Sequence, residues 1–174
     1  MSTRFNVYIN RILQSEGGYS NDRHDPGNWT EGVVGGGILK GTKYGISAAS
    51  YPGLDIVNLT KEQAIDIYHA DFWTHIHGDT LPEAVAFGVL DGAVNSGVSR
   101  SVAWLQRAAG VLGDGVWGPQ TSAAVSVANP VQLLLRYTAY RLKFMTTAGG
   151  WKYYSAGWAN RISTNLIFAS DDIK

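Results

Sequence analysis

Phe5-Asn6-Val7-Tyr8-Ile9-Asn10-Arg11-Ile12-Leu13-Gln14-Ser15-Glu16-Gly17-Gly18 is the stretch that decides the fold class. Phe5, Tyr8, Ile9, Ile12 and Leu13 recur at the spacing of one face of a 3.6-residue helix, and Glu16 falls on that face. Gly17-Gly18 is the expected stop, because glycine accepts the left-handed conformation in which helices end. A carboxylate on the apolar face of a last helical turn is partly withdrawn from water, which disfavours its charged form. The negative end of the helix dipole acts in the same direction. A carboxyl kept protonated near neutral pH suits a general acid. A helix-terminal Glu also commonly turns to solvent or pairs with a cation, here Arg11 or Arg23.

Outward from this helix the pattern changes. Asp25-Pro26-Gly27-Asn28 is a turn signal. Trp29 to Ile46, rich in Gly, Val and Thr and centred on Gly35-Gly36-Gly37, predicts a small hairpin with a glycine tip. The helical period then returns. Thr60 and Gln63 form a capping box ahead of Ile65, Tyr68, Phe72 and Ile76. Pro82-Glu83 opens a helix that Gly97 closes, and Ser99 is expected to cap the next, with Val102, Leu105 and Ala109 inward. Pro119 suits a first helical position. Asn129, Pro130 and Gln132 start a long helix with Leu134, Tyr137, Arg141 and Phe144 in line, Gly149-Gly150 breaks it, and a last helix is expected from about Trp151 to Phe168. The fold class is therefore mainly α, with one small β-hairpin near the N-terminus.

The chain has 174 residues, 45% hydrophobic and 16% charged, which fits one globular domain with a core of its own. Its lack of cysteine excludes disulfides, thiolate metal sites and cysteine nucleophiles. A net charge of zero and no long basic run argue against nucleic acid as a partner. Residues 1–11 lack the apolar core of a signal peptide, and no apolar run is long enough to insert in a membrane.

Asp25, one short loop after Glu16, supplies the second carboxyl group that glycoside hydrolysis commonly requires; it could equally cap its own turn. Asp22 competes with it in the same loop. Thr30 and Thr42 are candidates for orienting a water molecule, though each is also an ordinary strand residue. His75 and His77 lack a third ligand at metal-binding spacing and are read as surface or capping residues. Gly35 to Thr42 lacks the order of a phosphate loop. Of six Trp and nine Tyr, most belong in a core, as Trp104 does beside its apolar helical face. Tyr19, Trp29 and Tyr44 flank the proposed loop and are the candidates for stacking on sugar rings.

Glu16-Gly17-Gly18-Tyr19, Asn21-Asp22, Asp25-Pro26-Gly27 and Thr42-Lys43-Tyr44-Gly45-Ile46 together resemble the signature of the glycoside hydrolase 108 family. Two departures stand out. Asn28 occupies the position of a usual second glycine, and Trp29–Gly41 is inserted before the Thr-x-Tyr-Gly-Ile piece. Thr30 keeps the sequence distance from Asp25 and Thr42 keeps the local motif. Thr42 is preferred, because the backbone re-entering the core fixes its position. Asp91-Gly92-Ala93-Val94-Asn95-Ser96-Gly97 is similar to a later family segment. Trp104 to Ala108 and Asp114 to Thr121 resemble its accompanying predicted peptidoglycan-binding region, and Gly157-Trp158-Ala159-Asn160-Arg161 resembles the family's closing Gly-Trp-x-Asn-Arg.

The resemblance implies a lysozyme-like fold, with a catalytic lobe over about 1–80 and a helical, wall-binding-like lobe over about 81–174. It implies an N-acetylmuramidase of endolysin type, cleaving the β-1,4 bond between N-acetylmuramic acid and N-acetylglucosamine without metal or organic cofactor. Glu16 would be the acid, Asp25 and Thr42 its partners, and Tyr19, Trp29, Tyr44 and Asn95 would contact glycan. The expected partner is the peptidoglycan strand, met by a monomer that is made in a host cytoplasm and reaches the periplasm through a separate holin. A lytic transglycosylase and a non-catalytic wall-binding module on the same scaffold are the alternatives.

Overall fold

The computed structural model describes residues 2–15 and 18–173. The expectations placed on Glu16, as the end of the apolar helical face, and on Gly17, as its stop, lie outside the described residues. Among the described residues the chain is mainly α, with seven α-helices and a two-stranded antiparallel sheet. It divides into two compact units, Met1–Ala70 and Asp71–Lys174.

In the first unit, α1 spans Thr3–Ser15. Phe5, Tyr8, Ile9, Ile12 and Leu13 are all buried, while Asn6, Val7, Asn10 and Gln14 between them are exposed. The Phe5 ring meets His69 edge-on at 4.9 Å, and Lys61 Nζ donates to Asn10 Oδ1 at 3.0 Å. Helix α2, Lys61–Tyr68, starts at the expected capping box, in which Gln63 N donates to Thr60 Oγ1 and Thr60 N to Gln63 Oε1. The helical path then widens into a π-helical stretch, His69–Trp73. That extra residue moves the apolar face on by one: Trp73 is buried at 1% exposure, and Phe72, expected on the stripe, is only half-buried.

The predicted hairpin is displaced. Strand β1 is Thr42–Lys43 and β2 is Ile46–Ser47, paired Thr42 to Ser47 and Lys43 to Ile46. Tyr44 and Gly45 form the turn with φ of 53° and 76°, the positive pair that a type I′ turn requires. Gly35-Gly36-Gly37 is not this turn. It lies in a separate excursion closed by a single bridge between Trp29 and Leu39. Three successive glycines offer no side chains to a pleated face and lose the most backbone entropy on ordering. Regular pairing forms instead between the strands that carry Thr42 and Ile46.

The second unit holds α3 (Glu83–Ser96), α4 (Val98–Ala108), α5 (Pro119–Val127), α6 (Pro130–Thr147) and α7 (Trp151–Asp172). Helix α3 packs against α4, α6 and α7 and is buried without interruption from Ala84 to Ala93. Gly92 permits this closeness, since a Cβ there would collide with the Tyr137 hydroxyl of α6. Gly97, at φ 89°, ends α3 and caps α4, so Ser99 lies inside the first turn of α4 rather than at its cap. Asn129 caps α6 by accepting from Val131 N and Gln132 N. Helix α7 continues to Asp172, past the expected end at Phe168.

Asp91 is buried on α3. Arg161 Nη2 reaches its Oδ1 at 2.6 Å, Arg141 Nη2 its Oδ2 at 2.7 Å, and Asn165 Nδ2 its Oδ2 at 2.7 Å. Burial pushes this carboxyl up. The Arg141 charge, then the hydrogen bonds and charge of Arg161 and the Asn165 amide, outweigh burial and hold it below its ordinary value.

Candidate functional site

The candidate site in the first unit is built on the 3-10 turn Pro26–Asn28. Asp25 caps it, with Oδ1 accepting from Gly27 N at 2.8 Å. This bond fixes the carboxylate's direction, while the residue stays exposed and Oδ2 makes no hydrogen bond to any described residue. Asp22, the competing acid, is engaged differently. Its Oδ1 accepts from His24 N at 2.9 Å and lies 3.1 Å from His24 Nδ1. The His24 N–H and then the His24 ring hold the Asp22 carboxyl below its ordinary value, which favours its ionised form.

The two threonines separate clearly. Thr30 Oγ1 accepts from Ile38 N at 2.9 Å, and a Cβ at Gly37 would collide with it. Thr30 is therefore tucked beneath the glycine tip as a clasp of the excursion. Thr42 lies on β1, bridged antiparallel to Ser20 in the loop after α1. Ser20 N donates to Thr42 O at 2.9 Å and Thr42 N to Ser20 O at 2.8 Å. Its hydroxyl donates to Asn28 Oδ1 at 2.7 Å. Thr42 is thus tied to both ends of the Ser20–Asn28 loop that carries Asp25.

Asn28 is the residue that sequence reasoning missed. It is fully buried at 0% exposure. Its Nδ2 donates to Asp22 O at 3.0 Å, its backbone N to Asp25 O at 3.1 Å, and its carbonyl accepts from Lys40 N and Gly41 N, both at 3.0 Å. Its signal in the sequence is its departure from the glycine that the family resemblance implies at that place.

The expected glycan-contacting aromatics differ in their engagement. Trp29 is half-buried and donates its indole N–H to Arg23 O at 3.0 Å, anchoring the Asp22–Asp25 loop. Tyr19 is 42% exposed, its hydroxyl donating to Lys40 O at 3.3 Å. Tyr44 projects from the type I′ turn, with Lys43 Nζ 5.6 Å from its ring centre and its carbonyl accepting from the Tyr68 hydroxyl. Asn95, in the second unit, is exposed near the end of α3.

In the second unit the Asp114–Thr121 motif holds itself together. Buried Gln106 reaches Asp114 Oδ1, Val116 O and Thr121 Oγ1 with Nε2, and accepts from Gly115 N at 2.8 Å. These residues are accounted for as a loop scaffold. Beside them His77 stacks on Trp117 at 4.7 Å, at the edge of a cavity of about 430 Å³ also lined by Val98, Val102 and Val116.

The family model for glycosyl hydrolase 108 matches residues 9–97, which include the Asp25 turn and Thr42. The solved structure of SagA from Brucella abortus is similar to this chain at 31% sequence identity, covering 97% of this chain and 94% of that chain, with a TM-score of 0.80. No curated protein matches.

Proposed function

The chain belongs to the glycosyl hydrolase 108 family, a family of peptidoglycan hydrolases, and on that premise we propose that it is an N-acetylmuramidase. It cleaves the β-1,4 bond between N-acetylmuramic acid and N-acetylglucosamine. Glu16 protonates the leaving oxygen, and Asp25 and Thr42 hold a water molecule or stabilise the developing positive charge on the sugar. The observation that carries this reading is the link between Thr42 and the Asp25 turn. Trp29–Gly41 separates them in sequence, yet Thr42 is bonded to Ser20 and Asn28 on either side of that turn. Asp25 adds a carboxylate of fixed direction and open access.

The test compares wild type with Glu16→Gln on purified peptidoglycan, after both give the same circular-dichroism spectrum. Loss of a positioned general acid costs about 10²–10⁴-fold in rate, so wild type is expected to clear the suspension and the variant to leave it turbid. Equal clearing by both removes Glu16 from the reaction. Mass spectrometry of the products checks the reaction type. Hydrated muramic acid ends are expected, and anhydro ends would make the enzyme a transglycosylase.

A further inference from the structure

Asn28 and Thr42 stand immediately before and after the Trp29–Gly41 excursion, and their side chains are bonded to each other at 2.7 Å. The neck of the excursion is closed again by the Asn28 carbonyl, which accepts from Lys40 N and Gly41 N. The orientation of the buried amide follows from its partners. The Asp22 carbonyl can only accept, so the Asn28 NH₂ must face it. Oδ1 then faces Thr42 and can itself only accept. The Thr42 hydroxyl therefore has to donate, and its single proton is committed.

We propose that Asn28 is a positioning residue that turns the Thr42 hydroxyl into an obligate hydrogen-bond acceptor. A water molecule held by Thr42 must then donate one of its own O–H groups to it. This directs a lone pair of the water away from Thr42, the orientation a water needs in order to approach the sugar carbon. Without Asn28 the hydroxyl rotates and can donate to that water instead, which turns the lone pair inward. The Trp29–Gly41 segment takes Thr42 away from Asp25 in sequence, and the Asn28 side chain ties it back. The inference rests on the reading of Thr42 as a site residue.

The test is a double-mutant cycle of Asn28→Ala and Thr42→Val, with kcat and KM measured on soluble uncrosslinked glycan strands and near-UV circular dichroism checked for each protein. Thr42→Val is expected to lower kcat by about 10²-fold, the scale of a misplaced reacting group. Asn28→Ala is expected to lower kcat by about 10-fold or more with KM changed less than about 2-fold, and to cost less than about 2-fold when added to Thr42→Val. Equal losses from Asn28→Ala in both backgrounds would mean that Asn28 acts as packing only, and would overturn the inference while leaving Thr42 in the site. An unchanged kcat in Thr42→Val would instead overturn the reading of Thr42 itself. If Asn28→Ala lacks the native near-UV spectrum, Asn28→Leu, which refills the volume without an acceptor, takes its place in the same cycle.

Discussion

Thr30 and Thr42 each make one hydroxyl bond, and the two run in opposite directions: Thr30 accepts from a backbone N–H, whereas Thr42 donates to a buried amide. A threonine serving the excursion and one proposed to serve the reaction should therefore respond differently to removal of the hydroxyl. Thr30→Val is expected to keep kcat within about 3-fold of wild type and to lower stability by about 0.5–1.5 kcal/mol, the ordinary worth of one such bond. Kinetics and thermal melts run beside Thr42→Val check this. Loss of activity in Thr30→Val with retention in Thr42→Val would reverse the assignment. At the same scale Asp22 and Asp25 are each engaged through Oδ1 alone, Asp22 by the His24 N–H and ring and Asp25 by Gly27 N; Asp25 differs in capping the turn that ends in Asn28, the partner of Thr42.

The elements of the first unit depend on positions where no side chain fits. Gly41 has φ +85°, and a Cβ there would meet the Ser20 carbonyl and the Tyr19 ring. Gly35 has a similar φ of +83° with open space around it. Backbone strain for a non-glycine residue is therefore shared and the collision is not. Gly35→Ala is expected to cost about 1 kcal/mol and leave activity intact, whereas Gly41→Ala should cost at least about 3 kcal/mol and separate β1 from the Ser20 loop, with loss of wall clearing. Urea melts and clearing rates on the two variants distinguish these outcomes. Helices α1, α2, α3 and α6 were legible in the sequence because their period, caps and stops are local, down to the Thr60–Gln63 box and the Gly97 stop. The hairpin was legible as a presence and misplaced in register, since glycines mark bends and pairing is decided by what packs against Thr42 and Ile46. The π-helical widening at His69–Trp73 left no composition signal, and it exchanged Phe72 for Trp73 inside. In the candidate site, Asp25 is singled out as a second carboxyl in the loop after Glu16, and Thr42 by its local motif although the sequence distance favours Thr30; the structure bonds Thr42 to Ser20 and Asn28 and Thr30 to Ile38. Asn28 was not legible, because within Asp25-Pro26-Gly27-Asn28 it resembles any turn asparagine until Lys40, Gly41 and Thr42 fold back and bury it.

At the scale of the whole molecule, the second unit is organised around one buried acid. Asp91→Asn leaves Arg141, 1% exposed, buried without its anion, which is expected to cost about 3–5 kcal/mol, or roughly 6–20 °C in Tm for a chain of this size. Because the folded-state pKa of Asp91 lies below its unfolded value of 3.8, unfolding takes up a proton in acid. The contribution is complete above that value and is lost as pH falls through the folded one. Melts from about pH 5 down to about pH 3 should thus fall more steeply for wild type than for Asp91→Asn, and parallel curves would show that Asp91 does not carry the acid sensitivity. The distance along the chain between Asp91 and its cations has a further consequence, for synthesis. Asp91 leaves the ribosome well before Arg141, and Arg141 before Arg161. Through that interval α3, apolar on nearly every side, carries an acid whose full set of partners does not yet exist. The loop joining Ser20, Asn28 and Thr42 needs nothing made later than Ala49, whose N–H donates to the Gly27 carbonyl, to close its backbone hydrogen bonds. The nascent chain can therefore complete the turn that bears Asp25 while α3 still has to be shielded from water and from other chains.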